Sequence, residues 1–186
     1  MLRLCAGWIL LGIASGGALY TLSAALLASR RFPVGEPRSP VARATDTPLP
    51  RAPVSVLRPL HGAEPGLSEA LASSLRQDYP AQIQLVCGVQ GEDSPAQAVV
   101  DGLRRALPEH DIVLVRDSRR RGGNPKISNL AKMVPSARHD ILVAVDSDIT
   151  TPPGWLASVT ASMDEPQVGA VSCFYLGEGR GRWSRL

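Results

Sequence analysis

The feature that most constrains this chain is an uncharged stretch of 24 residues near its start, from Cys5 to Ala28. As an α-helix, this stretch would be about 36 Å long, which is enough to cross a hydrocarbon core of about 30 Å with some tilt. Arg3 precedes it, and five arginines follow it at positions 30, 31, 38, 43 and 51. Because basic residues collect on the cytoplasmic side, we predict a single-pass anchor over residues 1–31 in the cell (inner) membrane, with the globular part cytoplasmic.

A cleaved signal peptide is the alternative for this stretch, since small residues occupy positions 23–25 and 28. The apolar region of a signal peptide is usually about 7–15 residues long, and a basic cluster directly after it opposes export. The stretch is longer than that, and its basic cluster lies on the unfavourable side. The membrane anchor is therefore the preferred interpretation.

Charge and cysteine usage exclude several classes of protein. The 186 residues carry a net charge of +3, but residues 1–60 carry +5 and the remainder −2. A nucleic-acid-binding domain would have its basic residues on the folded part, so we expect no nucleic-acid partner. Cys5, Cys87 and Cys173 show neither a CxxC pair nor zinc-ligand spacing, and we predict that they are buried free thiols.

The rest of the chain divides into a linker and an alternating body. Residues 32–52 are rich in proline and lack an apolar period, which predicts an extended linker before a domain at 53–186. Alternating strands and helices with continuous Val, Ile and Leu runs indicate an α/β fold, a mostly parallel sheet with helices on both faces. We predict strands at 54–57, 83–89, 112–115, 141–145 and 168–174, and helices at 66–77, 95–107, 126–134 and 151–163.

The loops that follow the strands carry the candidate chemistry, because ligands of such folds bind beyond the carboxyl ends of the strands. Asp146 and Asp148 follow the fourth predicted strand, and Glu92 and Asp93 follow the second. Two carboxylates with free coordination positions suit Mg²⁺ or Mn²⁺, which in turn binds substrate phosphates. The alternative is that these aspartates only cap a helix or stabilise a turn.

A basic, glycine-containing segment from Arg119 to Lys126 precedes a predicted helix. It could contact phosphate, or it could be a solvated loop, and the residues alone leave both open. The chain has neither a GxxxxGK[ST] motif nor a GxGxxG after its first strand, so NTPase and dinucleotide-binding functions are poorly supported.

Five ordered motifs carry a resemblance to a known family. Together with the anchor, they make residues 54–176, about two thirds of the chain, resemble the nucleotide-sugar half of inverting glycosyltransferases of the GT-A fold. The ceramide glucosyltransferase family, including its bacterial hopanoid-associated members, is the most similar. The motifs are Arg58–Leu67 (RPLHGAEPGL), Asp78-Tyr79-Pro80, Gln90–Ala96 (QGEDSPA), Asn124-Pro125-Lys126-x-x-Asn129-Leu130 and Asp146-Ser147.

The resemblance implies a membrane-anchored glycosyltransferase that transfers a sugar from a UDP-sugar to a lipid alcohol, such as a ceramide-like or hopanoid-like acceptor. It implies a divalent cation, Mg²⁺ or Mn²⁺, as cofactor. It also implies roles for individual residues: Glu92 and Asp93 at the uridine, Lys126 and Asn129 in the nucleotide pocket, Asp146 near the diphosphate and its metal, and Asp148 completing a DxD metal motif.

The family pattern also includes a third aspartate, the catalytic base, and a [QR]xxRW motif, and the resemblance implies that both lie beyond Leu186. Arg182-Trp183 is similar only superficially, because Gly179 stands three residues before Arg182. The catalytic residues are therefore left unassigned, and the resemblance implies the N-terminal part of such an enzyme, inactive by itself. Two alternatives are a processive polysaccharide synthase-like glycosyltransferase and a non-catalytic anchored nucleotide-binding module.

Overall fold

The computed structural model describes residues 2–31, 51–91, 95–120 and 122–175. These residues fall into two units, a long N-terminal helix and an α/β domain, and each is described by itself. The helix, α1, spans Leu2–Arg31. Its segment Leu10–Leu27 is long and apolar enough, by length and composition, to cross a membrane, a property that it shares with signal sequences. The predicted linker lies almost entirely outside the described residues.

The domain contains a four-stranded parallel sheet with the strand order β3-β2-β1-β4. Its strands are β1 (Val54–Pro59), β2 (Ile83–Val89), β3 (Asp111–Arg116) and β4 (Ile141–Ala144). Its α-helices are α2 (Leu67–Ser73), α3 (Pro95–Ala106), α4 (Pro125–Met133) and α5 (Trp155–Ala161), with short 3₁₀ turns at Val134–Ser136 and Ser162–Asp164.

The strand order explains why helices cover both faces. The chain moves outward from β1 through β2 to β3 and then returns to the other side of β1 to form β4. Because parallel crossovers are right-handed, reversing the direction of travel moves the connecting helix to the opposite face. The α/β class, the parallel sheet and its two covered faces are thus as predicted.

Alternate strand residues divide between two apolar clusters. On one face, Val54 and Val56 of β1 and Leu85 of β2 pack with Leu71 of α2 and Leu156 of α5, all almost completely buried. The other face has a smaller cluster of Leu57, Val86 and Met133 beneath α4. Because side chains of a strand alternate between faces, this division follows directly from the register of the sheet.

Gly88 is the point at which α4 lies closest to β2. A Cβ atom at this position would lie 2.6 Å from Asn129 Oδ1 and 2.7 Å from Met133 Cγ, and would also overlap Met133 Sδ. Asn129 Nδ2 donates a hydrogen bond of 2.8 Å to the Gly88 carbonyl, which holds the helix at this distance. A glycine inside a strand is typical of such close approaches.

The predicted fifth strand, 168–174, is wrong. In the part of the domain that is described, the sheet ends at β4, and this segment is an exposed irregular stretch that does not join it. Phe174 is 88% exposed, and Cys173 is exposed rather than buried as expected. The apolar run satisfied the strand pattern, but a strand forms only where a neighbouring strand pairs with its backbone groups. Cys87 is a buried free thiol, as predicted, and the side chain of Cys5 lies outside the described set.

Two predicted helices are shorter than expected. α2 ends at Ser73 rather than at 77, because Leu75 N donates to the Ala72 carbonyl three residues back and the Ser73 carbonyl accepts from the Gln77 side chain at 2.8 Å. α5 begins at Trp155 rather than at 151, since the Pro153 carbonyl accepts from Asp78 N instead of joining the helix. A local change of hydrogen bonding thus ends α2, whereas a long-range hydrogen bond delays the start of α5.

Replacing Gly88 by alanine should lower the free energy of unfolding by about 1–3 kcal/mol, because the added methyl group forces apart β2 and α4. Gly102→Ala is the matched control: position 102 lies inside α3 with nothing within 4 Å of an added Cβ. There the same change should stabilise by about 0.5–1 kcal/mol. Urea denaturation followed by circular dichroism measures both, and a Gly88→Ala variant as stable as the wild type would contradict the packing described.

Candidate functional site

The loops after β1 and β4 form the edge at which the strand order reverses. Neighbouring loops leave the sheet in opposite directions at such a point, and the crevice between them is the usual ligand site of open parallel sheets. β1 leads to residues 60–66, and β4 leads to Asp146 and Asp148. The candidate site is therefore positioned by the order of the strands before any side chain is considered.

Asp146 and Asp148 lie on a tight turn directly after β4. Val145 N still donates to the Leu57 carbonyl at 3.1 Å, which continues the pairing with β1, and Ile149 N closes the turn by donating to the Asp146 carbonyl at 3.2 Å. Asp146 is half-buried and Asp148 is exposed. We call residues 146–149 the acidic turn.

The first turn of α4 lies opposite the acidic turn. Asn124 caps the helix, since its Oδ1 accepts from Lys126 N at 2.9 Å and from Ile127 N at 3.3 Å, and Pro125 occupies the first helical position. This geometry holds the start of α4 in place. The ammonium group of Lys126 forms an ion pair with Asp146 Oδ1. Two residues expected at the site, 20 positions apart in the chain, are thus in direct contact.

Asn129 has a different environment from Lys126, although both were expected in the same pocket. It is 3% exposed and is bonded to the Gly88 carbonyl at the carboxyl end of β2. Its Oδ1 has no hydrogen-bond partner among the described residues. Asn129 thus borders the site from within the core, whereas Lys126 is half-exposed.

The loop after β1 contacts the acidic turn through Glu64, whose carboxylate accepts a hydrogen bond of 3.1 Å from the Ser147 hydroxyl. Below the turn, Arg58 is completely buried, and its guanidinium donates to the carbonyls of Asp146 at 2.6 Å and Ile149 at 2.9 Å. Burial lowers the pKa of Arg58 to about 10, against the opposing influence of Cys87, Asp148 and Asp146, so it remains a cation at neutral pH.

Beyond β3, Asp117 and Arg119 fix the start of the basic loop. Arg119 donates to the Asp117 carboxylate from its backbone at 2.8 Å, from Nε at 3.1 Å and from Nη2 at 2.9 Å. The hydrogen bonds from the Arg119 side chain and backbone lower the pKa of Asp117 to about 2. Lys132 donates to the Asp117 carbonyl from the buried side of α4.

Glu92 and Asp93, expected at a uridine, lie outside the described residues, so their predicted roles remain predictions. In the part of the domain that is described, no three His, Cys, Asp or Glu side chains come together as a metal site. Asp146 and Asp148 nevertheless offer hard oxygen donors on an accessible turn. They fit a Mg²⁺ or Mn²⁺ ion that takes its other ligands from phosphate oxygens and water.

The catalytic base, expected beyond Leu186, also remains a prediction. The domain was predicted to extend to Leu186, but its described part ends at Tyr175, so residues 176–186, with Arg182-Trp183 and Leu186 among them, lie outside the described residues.

Three contributors to the site were not predicted as site residues. Arg58 interrupts an otherwise uncharged buried strand, and a lone charge in such a strand is a signal for a buried partner. Gly88 inside β2 is a similar signal for a close approach. Glu64 has no comparable signal, because its contact with Ser147 depends on how two loops fold.

The fold and the site define an α/β domain with a candidate ligand-binding edge at the reversal of its sheet, where an acidic turn faces a lysine. The sequence model of glycosyl transferase family 21 matches residues 11–186. The chain belongs to this family.

Curated relatives agree with the family. The chain is 32% identical over 133 residues to a ceramide glucosyltransferase of Komagataella phaffii, covering 69% of this chain and 26% of that protein. It is 30% identical over 176 residues to a ceramide glucosyltransferase of Pyricularia oryzae, covering 81% of this chain and 33% of that protein. The chain therefore spans about a quarter to a third of the length of these relatives.

A solved structure supports the fold. A mannosyltransferase from Pyrobaculum calidifontis, in complex with GDP-Man and Mn²⁺, superposes with a TM-score of 0.57 and 27% sequence identity. The match covers 67% of this chain and 36% of the mannosyltransferase chain. The GT-A-type architecture expected from the sequence motifs is thus confirmed.

Arg119→Gln should raise the pKa of Asp117 from about 2 toward its usual value, although the backbone N–H of residue 119 still donates to the carboxylate. Because the folded-state pKa is depressed, the pair stabilises the fold above pH ~4, and this contribution disappears as the pH falls to about 2. Carboxyl ¹³C NMR titration measures the midpoint. Arg120→Gln is the control, since Arg120 bonds to the Gly123 carbonyl instead. An unchanged midpoint in Arg119→Gln would refute the assignment.

Proposed function

We propose that this domain binds the nucleotide-sugar donor, a UDP-sugar, of a membrane-associated glycosyltransferase whose acceptor is a lipid alcohol of the ceramide or hopanoid type. The observation that carries the proposal is the contact between Lys126 and Asp146 across the reversal point of the sheet. A sugar diphosphate needs a direct positive partner and a bound metal. At this edge, Lys126 could supply the first and the carboxylates of the acidic turn could hold the second. Family membership and the relatives named as ceramide glucosyltransferases support the same activity.

In this proposal, Asp146 and Asp148 hold Mg²⁺ or Mn²⁺. When bound, the metal would supply charge stabilisation to the departing diphosphate. The solved mannosyltransferase, which contains Mn²⁺, supports the choice of a divalent ion. Lys126 would bind a diphosphate oxygen. The ammonium group of Lys126 pairs with Asp146 in this structure. With donor and metal bound, Lys126 would instead pair with the diphosphate, and Asp146 with the metal.

Asn124 limits what the start of α4 can contribute. Its side chain already accepts from the backbone N–H groups of Lys126 and Ile127. These donors are therefore not free for phosphate, and the positive partner at this point is the Lys126 side chain. Asn129, buried beside Gly88, would shape the floor of the nucleotide pocket rather than contact the phosphates. Glu92 and Asp93 keep their proposed place at the uridine.

The membrane part of the proposal is supported by α1, whose segment Leu10–Leu27 is long and apolar enough to span a bilayer. We propose that it anchors the protein in the cell membrane, with the domain on the cytoplasmic side. The basic residues that follow the apolar stretch support this orientation. An anchor would keep the donor site close to a lipid acceptor, which cannot leave the bilayer easily.

Asp146→Asn should weaken the binding of UDP in the presence of Mn²⁺ by about 10- to 100-fold, the value of one lost charge-assisted contact. Lys126→Met should weaken UDP binding both with and without the metal, because it removes a direct partner of the phosphates. Isothermal titration calorimetry of the full chain in detergent measures these affinities.

The matched controls come from the opposite end of the sheet, where Arg138 Nη1 lies 2.8 Å from Asp111 Oδ2 in an exposed ion pair. Asp111→Asn and Arg138→Met each remove one charge of the same sign as the corresponding site variant, and they should leave UDP binding as in the wild type. Wild-type affinity in Asp146→Asn would refute the metal and diphosphate assignment. Tighter binding of GDP than of UDP would refute only the choice of uridine.

A further inference from the structure

Arg58 is the most completely buried charge in the described part of the domain, and it is not paired with a carboxylate by direct contact. It lies in β1 between Cys87 of β2 and the acidic turn after β4. The Nε atom has no hydrogen-bond partner among the described residues. Burying a cation in this way is costly, and an apolar side chain of similar size often serves stability as well or better. Stability alone therefore does not explain an arginine at this position.

Arg58 forms hydrogen bonds to the acidic turn that an apolar residue could not form. Nη1 donates to the carbonyl of Asp146, and Nη2 donates to the carbonyl of Ile149. These two carbonyls belong to the first and last residues of the acidic turn. One planar group with a fixed spacing of donors thus joins both ends of the turn that carries the two aspartates.

A third hydrogen bond connects the turn to the rest of the domain. Nη2 of Arg58 also donates to the Ala70 carbonyl in α2. Ser73, one helical turn later, accepts from Thr151 N at 3.0 Å just beyond the acidic turn. The acidic turn is therefore connected to α2 twice, through Arg58 and through Ser73 and Thr151, while the Asp146 side chain is half-buried and that of Asp148 is exposed.

We propose that Arg58 is a positioning residue for the divalent cation: by binding both end carbonyls of the acidic turn, it sets the separation and direction of the Asp146 and Asp148 carboxylates. This inference rests on the proposed metal site at those two aspartates. Arg58 itself does not touch the cation or the donor. Groups that orient metal ligands in this way typically change metal affinity by about 10- to 100-fold when they are removed.

The test compares Arg58→Met and Arg58→Lys with a matched control, Gln84→Met. Gln84 is also completely buried in a central strand and also bonds to a neighbouring turn, through Arg138 N at 2.9 Å and the Ser136 carbonyl at 3.2 Å. It lies at the amino end of the sheet, away from the acidic turn. Gln84→Met thus reports the effect of losing a buried polar anchor without disturbing the site.

Mn²⁺ binding to the full chain in detergent is measured by electron paramagnetic resonance, in the presence and absence of UDP, together with the melting temperature. We expect Arg58→Met to weaken Mn²⁺ binding in the presence of UDP by about tenfold or more and to broaden the bound-Mn²⁺ spectrum. UDP binding without metal should change by less than about twofold. Gln84→Met should lower the melting temperature but keep both the affinity and the spectrum.

If Arg58→Met does not fold, Arg58→Lys tests the positioning role of Arg58. Lysine keeps the charge, but its single ammonium lacks the fixed spacing that reaches both end carbonyls. A loss of Mn²⁺ affinity in this variant, smaller than in Arg58→Met, supports positioning by geometry. The inference is overturned if Arg58→Lys, and Arg58→Met where it folds, bind Mn²⁺ as tightly as the wild type. It is also overturned if these variants lose no more Mn²⁺ affinity than Gln84→Met does. A wild-type chain that fails to bind Mn²⁺ with UDP overturns the proposed metal site instead, and the inference with it.

Discussion

The arrangement of this domain's candidate ligand-binding edge depends on the hydrogen bonds of the buried Arg58 guanidinium. The guanidinium connects β1 with α2 and with the acidic turn after β4, through acceptors that lie 12 to 91 positions away along the chain. Its donors use the acceptor capacity of three carbonyls that face the interior. A buried cation without such acceptors would be costly, so the positive charge and the three carbonyls stabilise one another.

The reversal of strand order explains why Arg58 can make these hydrogen bonds. β1 is central and pairs with β2 on one side and β4 on the other, so the end of β1 lies below both diverging loops. A long side chain at position 58 can reach the acidic turn, whereas the same side chain at the end of β3 could not. α4, displaced to the other face by the same reversal, brings Lys126 to the carboxylate of Asp146. Topology thus determines which residues can cooperate.

Much of this could be predicted from local patterns. The four strands with continuous Val, Ile and Leu runs formed as expected, and Asn124-Pro125 marked the start of α4 because the cap and the fixed proline act within three residues. Features that depend on distant partners could not be predicted in the same way. The segment 168–174 has the composition of a strand but does not join the sheet, and α5 begins later than predicted because the Pro153 carbonyl accepts from Asp78 N.

The candidate site also combines features that could be predicted from local sequence with features that depend on distant partners. Asp146 and Lys126 could be identified as candidates because each lies next to a recognisable local feature, the end of an apolar strand or the start of a capped helix. Their contact could not be deduced, since it requires the order of the strands. For Asn129, the prediction from the motif was less accurate, because it placed Asn129 in the same pocket as Lys126. On a helix, a step of three residues moves a side chain about 4.5 Å along the axis and about 60° around it. Asn129 consequently packs against Gly88 in the interior.

The charges at the edge also bear on the ligand that we propose for it. Asp146, Asp148 and Glu64 contribute three negative charges, against Lys126 and the buried Arg58. A diphosphate brought to this turn without a further cation would face these carboxylates, and unit charges about 4 Å apart interact by about 4 kcal/mol near a protein surface. In the proposed function, a divalent ion held by Asp146 and Asp148 would offset that repulsion. Lys126 alone cannot do so, because pairing with the phosphate leaves Asp146 without its partner. In the proposed function, the acidic turn and the lysine would therefore suit a metal and a diphosphate bound together better than either component alone.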